Sequence, residues 1–204
     1  MKANNSLITY IESESIQSLD RGTLTSLKEA LADIIACTIA GRNTKAAEIA
    51  KEFAASQWGM GNSSLFLFPE RLTPAGAAFV NATMANALDL DDGHRLTKGH
   101  PGAVIFPAVL AVAEDHNISG AEFLTALLIG YEVGIRAGIA AHLTRLDYHC
   151  TGSWGAVGAA AGVSYILGLK GGTIGARTGQ CRIFWCLLSN DALHRTSFHV
   201  KRRD

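Results

Sequence analysis

Aromatic side chains are scarce in this sequence, at 7% of 204 residues, and there are only four prolines. Alanine and glycine dominate instead, which disfavours a β-sandwich and favours helices that approach closely. Neither sign of charge is in excess. The 18 Lys and Arg balance 18 Asp and Glu, so the basic surface of a general nucleic-acid binder is missing and no nucleic-acid partner is expected. The four cysteines, Cys37, Cys150, Cys181 and Cys186, form neither a CxxC pair nor a disulfide framework, and are expected as reduced thiols in a cytoplasmic protein. No uninterrupted apolar run reaches the roughly 18 residues of a membrane span. The greasiest stretch, FLTALLIGYEVGI, contains Glu132 and glycine and reads as a buried helix, so no membrane partner is expected. The first ten residues, MKANNSLITY, lack the apolar segment of a secretory signal. What the chain does have is 48% hydrophobic residues against 18% charged ones, which argues against disorder. Its length fits one domain, or at most two small ones.

The apolar spacing predicts an all-α bundle or orthogonal array. A short amphipathic helix is expected over 7–20. A clearer one spans 24–40, where Leu24, Leu27, Leu31, Ile34 and Ile35 recur at helical spacing. A third covers 44–57, and GMGNSSLFLF reads as a loop with a short extended piece. Thr73 and Pro74 mark an N-cap and first helical position for a fourth helix running to about Leu90. Pro101 opens a fifth, which Pro107 is expected to end or kink. Ser119 and Glu122 form a capping box before a long helix to about His142, and a Gly/Ala-rich helix follows His149 and reaches Leu169. Gly130, Gly134 and Gly138 recur every four residues, as at a close helix–helix contact. These elements make residues 1–170 one helical domain.

The chemistry concentrates in the polar loop 89–102, which holds Asp89, Asp91, Asp92, His94, Thr97, Lys98 and His100 between two apolar helices. A solvated charged loop is one reading. Carboxylates beside imidazoles also suit proton transfer near neutral pH. His100-Pro101-Gly102 sets His100 at the start of a helix, whose positive end favours an anion. A metal is a further reading of the same residue types, but no H-x-x-x-H or H-E-x-x-H spacing is present, and no metal is expected. His149 stands at the start of the Gly/Ala-rich helix, either as an incidental imidazole in its cap region or as a second imidazole facing the same pocket. Cys150 beside it is a weak nucleophile candidate, since adjacent residues rarely aim at one atom. His116 and His142 sit at helix ends.

Ala-Leu-Asp-Leu-Asp-Asp-Gly-His at 87–94, followed by His100-Pro101-Gly102 and an apolar helix, resembles the MmgE/PrpD family. Asn81-Ala82-Thr83, Ile129-Gly130-Tyr131-Glu132-Val133, and His149 before a helix ending Leu167-Gly168-Leu169 resemble it too, over residues from about 7 to 170. The family includes 2-methylcitrate dehydratase, cis-aconitate decarboxylase and iminodisuccinate epimerase. The resemblance implies an all-helical domain with an active site at its junction with an α/β lid, a homodimer, and a small di- or tricarboxylate substrate. It implies Asp89, His100 and His149 as catalytic residues, and Asp92 and His94 as substrate-binding ones. No cofactor is needed for the implied chemistry, for which water elimination from a 2-methylcitrate-like hydroxy acid is the first expectation and decarboxylation or epimerisation the alternative. Gly93 departs from the family's usual threonine.

Residues 171–204 depart further. Arg177, Arg182, Arg195, Lys201, Arg202 and Arg203 face only Asp191 and Asp204, a net charge of +4 against −4 for residues 1–170. No periodicity or family likeness is legible there, and the family's lid is not. This leads to the expectation of a basic tail that is out of frame or a truncated gene, and of a chain inactive alone. A non-catalytic helical dimerising fragment is the reading of a different class.

Overall fold

A computed structural model of the chain describes residues 2–145, 150–171 and 173–174. It is an all-α array, as the spacing predicts: α1 (Lys2–Ser13), α2 (Arg21–Gly41), α3 (Lys45–Trp58), α4 (Pro74–Asn86), α5 (Pro101–His116), α6 (Gly120–Thr144) and α7 (Thr151–Ile166). The first helix stops earlier than expected. The Glu14 carboxylate accepts from the Ser15 N–H at 3.0 Å and the Ser15 hydroxyl from the Gln17 N–H at 3.2 Å, so the chain turns into a single 3₁₀ turn, Ile16–Ser18. Asp20 and Thr44 cap α2 and α3 through their side chains. The capping box at Ser119 and Glu122 forms in both directions.

The short extended piece expected within 59–68 forms as β1 (Met60–Ser64), which pairs antiparallel with β2 (Arg71–Leu72). The side-chain amide of the buried Asn81 holds this hairpin from α4, accepting from the Phe66 N–H and donating to the Ser64 carbonyl. Pro107 does not end α5, which continues to His116. Its missing N–H forgoes one helical hydrogen bond, but the helix is buried along most of its length and packing holds it together.

The core falls into three adjoining clusters. Leu7, Ile11, Ile129, Trp154 and Ile174 join α1, α6, α7 and the segment after α7, where the Gly171 N–H also donates to Glu12 at 2.9 Å. Ile34, Ile105, Phe106 and Leu127 join α2, α5 and α6. Leu65, Leu72, Val80 and Met84 pack the hairpin on α3 and α4. α6 is long and apolar enough to cross a bilayer by length and composition, but 61% of its most apolar stretch is buried within the protein, as for a core helix. The glycine repeat does what its spacing predicts. A Cβ on Gly158 of α7 would strike the Gly130 carbonyl and approach Gly134 Cα to 2.8 Å, so α6 and α7 pack backbone against backbone.

Candidate active site

α4 ends at Asn86, and Asp89 then takes a left-handed backbone conformation, φ 54°, which aspartate tolerates better than most residues. The chain reverses into the loop 87–100. The His94 N–H bonds the Gly99 carbonyl at 2.9 Å and closes it. Thr97, fully buried, bonds the carbonyl of His94 and contacts its Nδ1 at 3.2 Å. His100 follows as the N-cap residue of α5, with Pro101 at the first helical position.

Close packing fixes His100 from both sides. A Cβ on Gly99 would collide with the Thr151 hydroxyl and reach the Trp154 ring at 3.0 Å; one on Gly102 would lie 2.6 Å from the Tyr131 hydroxyl. The His100 N–H donates to the Thr151 hydroxyl at 3.0 Å, tying the start of α5 to the start of α7. The Nδ1 of His100 lies 3.1 Å from the Asp91 carbonyl oxygen. A carbonyl only accepts, so Nδ1 carries the proton. Nε2 is thereby turned to Asp89, 3.3 Å from its Oδ1.

The three carboxylates of the loop have different fates. Asp89 is 83% exposed. The Asp91 side chain is wholly buried, with Oδ2 3.6 Å from His100 Nδ1. Asp92 caps α5, accepting from the Gly102 N–H at 2.9 and 3.2 Å. Burial pushes its carboxyl up to about 6, while the Tyr131 hydroxyl and the Gly102 N–H beside it act in the opposite sense. Burial and the charge of Asp92 push the Tyr131 phenol well up. Burial lowers the His94 imidazole below its ordinary value.

A cavity of about 760 Å³ opens here, within the range of small-molecule sites. Thr83, Asn86, Asp89, His100, Cys150 and Thr151 supply its polar lining, and Ala103 and Val104 part of its apolar wall. Two helix N-termini, those of α5 and α7, meet at it. The N-cap residue of α7 is Cys150, which makes no side-chain cap bond. Two positive helix ends beside an imidazole favour an anionic ligand.

The structure therefore brings together Asp89 and His100, both expected from sequence. Asp92 and His94, expected at the substrate, do not line the cavity; both are engaged in the loop's own frame. His149, and residues 172 and 175–204 of the expected tail, lie outside the described residues. Sequence reasoning passed over Asn86 and Thr151, and it named Asp91 in the loop without giving it a role. Donor atoms of Asp89, Asp91 and His100 lie within 4.8 Å of one another, close enough to consider a metal. The two carboxylates meet different ring nitrogens, however. The Asp91 oxygens are also held by the Asn86 amide, whereas Asp89 is open to the cavity.

The chain belongs to the MmgE/PrpD family: the model of the MmgE/PrpD N-terminal domain matches residues 5–181. The chain is 33% identical to the cis-aconitate decarboxylase-like protein oryM of Aspergillus oryzae over 153 residues, 70% of this chain and 32% of that one. It is 29% identical to the cis-aconitate decarboxylase of Aspergillus terreus over 150 residues, 70% and 31% of the two chains. With that of Homo sapiens it shares 28% over 177 residues, 81% and 36%. The chain thus spans about a third of the length of these relatives.

Proposed function

We propose that this chain carries proton-transfer and anion-holding groups of a lyase that decarboxylates a small unsaturated tricarboxylate of the cis-aconitate type. The observation that carries the reading is the Asp89–His100 pair at 3.3 Å, set where the N-termini of α5 and α7 open on one cavity. The decarboxylase names of the relatives favour loss of CO₂ over the water elimination first expected from sequence. Both reactions would draw on the same groups.

Loss of CO₂ from a carboxylate allylic to a double bond breaks one C–C bond. Its electron pair becomes a new C=C bond, and the old π pair shifts to the far carbon, which must take a proton. His100 is suited to deliver it. Its Nδ1–H is engaged by the Asp91 carbonyl, so any proton shared with Asp89 lies on the Nε2 side facing the cavity. The helix ends would hold the remaining carboxylates. His149 stays in this reading as a second imidazole, and Asp92 and His94 as groups that shape the loop. A homodimeric, cytoplasmic protein belongs to the same reading and rests on the family resemblance; sedimentation tests the dimer.

The test is incubation of the purified protein with cis-aconitate and, separately, 2-methylcitrate, with product masses and solvent-deuterium uptake recorded. A product lighter by one CO₂, with one solvent proton in a new C–H bond, is expected from cis-aconitate. Dehydration of 2-methylcitrate alone would restore the dehydratase reading. Absence of turnover together with no effect of either acid on the His100 NMR signals would overturn both.

A further inference from the structure

Asp91 is a buried ionisable group for which the chemistry above has no use, and its surroundings are specific. Its side chain has no solvent exposure. Both carboxylate oxygens accept from the side-chain amide nitrogen of Asn86, at 3.0 and 3.2 Å. Asn86 is the last residue of α4 and itself lines the cavity. Asp91 meets His100 twice, through its backbone carbonyl 3.1 Å from Nδ1 and through Oδ2 at 3.6 Å from the same atom. A carboxylate withdrawn from water is costly unless hydrogen-bonded or paired. Here the compensation comes from one amide and from the imidazole.

We propose that Asn86 and Asp91 are positioning residues for His100: Asn86 pins the Asp91 carboxylate, and Asp91 holds the ring with Nδ1–H inward and Nε2 toward Asp89 and the cavity. The assignment of a task to Nε2 rests on the proposed lyase reading; the orientation of the ring does not. Two features support positioning over simple packing. The contacts form a continuous line, Asn86–Asp91–His100–Asp89, from the end of α4 through the start of α5 to the cavity. Nδ1 faces two acceptors of the buried Asp91, its carbonyl at 3.1 Å and Oδ2 at 3.6 Å, against the single exposed carboxylate of Asp89 at Nε2, which favours the proton on Nδ1, whereas packing alone would not distinguish the two nitrogens. Imidazoles that act as ligands or bases are commonly fixed in this way by a partner on the other nitrogen, and loss of such a partner typically costs about 10–100-fold in activity.

The experiment uses the full chain with ¹⁵N-labelled histidine, observed by NMR at alkaline pH where the ring is neutral. His100 in the unaltered protein is expected as the Nδ1–H tautomer. Asn86→Ala and the nearly isosteric Asp91→Asn are expected to produce a mixture of tautomers while circular dichroism stays helical. In the cis-aconitate assay they are expected to lower kcat by about 10–100-fold with little change in KM. A His100 ring in the Nε2–H form in the unaltered protein would overturn the proposal without any variant. So would an unmixed Nδ1–H signal in both folded variants. Mixed tautomers in a protein that turns over neither acid would leave positioning intact and count against the lyase reading alone.

Discussion

His100 Nε2 lies 3.3 Å from Asp89 Oδ1, and the two groups differ sharply in their setting. The ring is anchored at its backbone N–H by Thr151 and at Nδ1 by Asp91, whereas the carboxylate is 83% exposed. Asp89 therefore makes little contribution to the fold, which separates a chemical role from a structural one. Asp89→Asn should leave thermal stability within about 0.5 kcal/mol, as for ordinary surface substitutions. It should still lower turnover of cis-aconitate steeply. His100→Ala should lower turnover by about 10²–10⁴-fold, the usual share of a general acid or base. Parallel melting curves and initial rates decide the matter. Loss of stability and activity in step for Asp89→Asn would show that the pair is structural.

The Asp92 carboxyl gives a pH dependence whose sign can be worked out. Burial raises it to about 6 in the folded chain, above an unfolded value of about 4. Between those values the folded state holds more protons than the unfolded one. Its contribution to stability is therefore greatest below this window and is lost as pH rises through it. The full difference is on the order of 3 kcal/mol. Asp92→Asn keeps an oxygen to accept from Gly102 but does not titrate. Urea unfolding at about pH 4.5 and pH 7 should show a smaller loss of stability at the higher pH in the variant than in the unaltered protein. An identical pH response in both would mean that the carboxyl is not raised.

Much of this site was legible in sequence because it sits at helix ends, where local rules are strong. Pro74, Pro101, and the Ser119–Glu122 box mark starts of helices that the structure reproduces. His100 falls at the N-cap position as its His-Pro-Gly context requires. The fates of Asp89, Asp91 and Asp92 were not legible. Three carboxylates within four positions look alike in a polar loop. Which one faces water depends on the left-handed turn at Asp89, on the Asn86 amide and on the Gly102 N–H, and all three are products of how α4 and α5 meet. The hairpin was obscured for the same reason, since its anchor, Asn81, lies on a helix well removed from β1 in sequence. The interior Pro107 shows tertiary burial overriding local preference. The expected domain limit at residue 170 rested on the change of composition and on the reach of the family resemblance; Ile174 is buried against the core, and the family model matches to residue 181.

The α6–α7 contact predicts a stability effect at a single glycine. At Gly158 a methyl group would meet backbone atoms of Gly130 and Gly134, which cannot rotate aside as a side chain can. Gly158→Ala should cost about 1–3 kcal/mol through overpacking, or about 2–4 °C of melting temperature per kcal/mol at this chain length. Gly120→Ala, where a Cβ meets nothing within 4 Å, is the control and should be neutral or stabilising by up to about 1 kcal/mol. Differential scanning fluorimetry reads both. Equal melting temperatures for the two variants would refute the backbone-to-backbone packing.

Cys150 offers a chemical probe of the cavity that depends on neither turnover nor stability. It is exposed, lines the cavity and caps α7, whereas Cys37 is half-buried and has its thiol pushed up by burial and by the charges of Asp33, Asp91 and Asp92. Thiolate is the reactive form, so iodoacetamide should modify Cys150 before Cys37, as peptide mass mapping would show. The same cavity is the proposed seat of the tricarboxylate. Millimolar cis-aconitate should therefore slow labelling at Cys150 and leave Cys37 unchanged. The His100→Ala variant, with one anion partner gone, should need more of the acid for the same protection. Protection at both thiols would indicate a general tightening of the fold. Protection at neither would place the acid elsewhere and detach the helix ends of α5 and α7 from substrate binding.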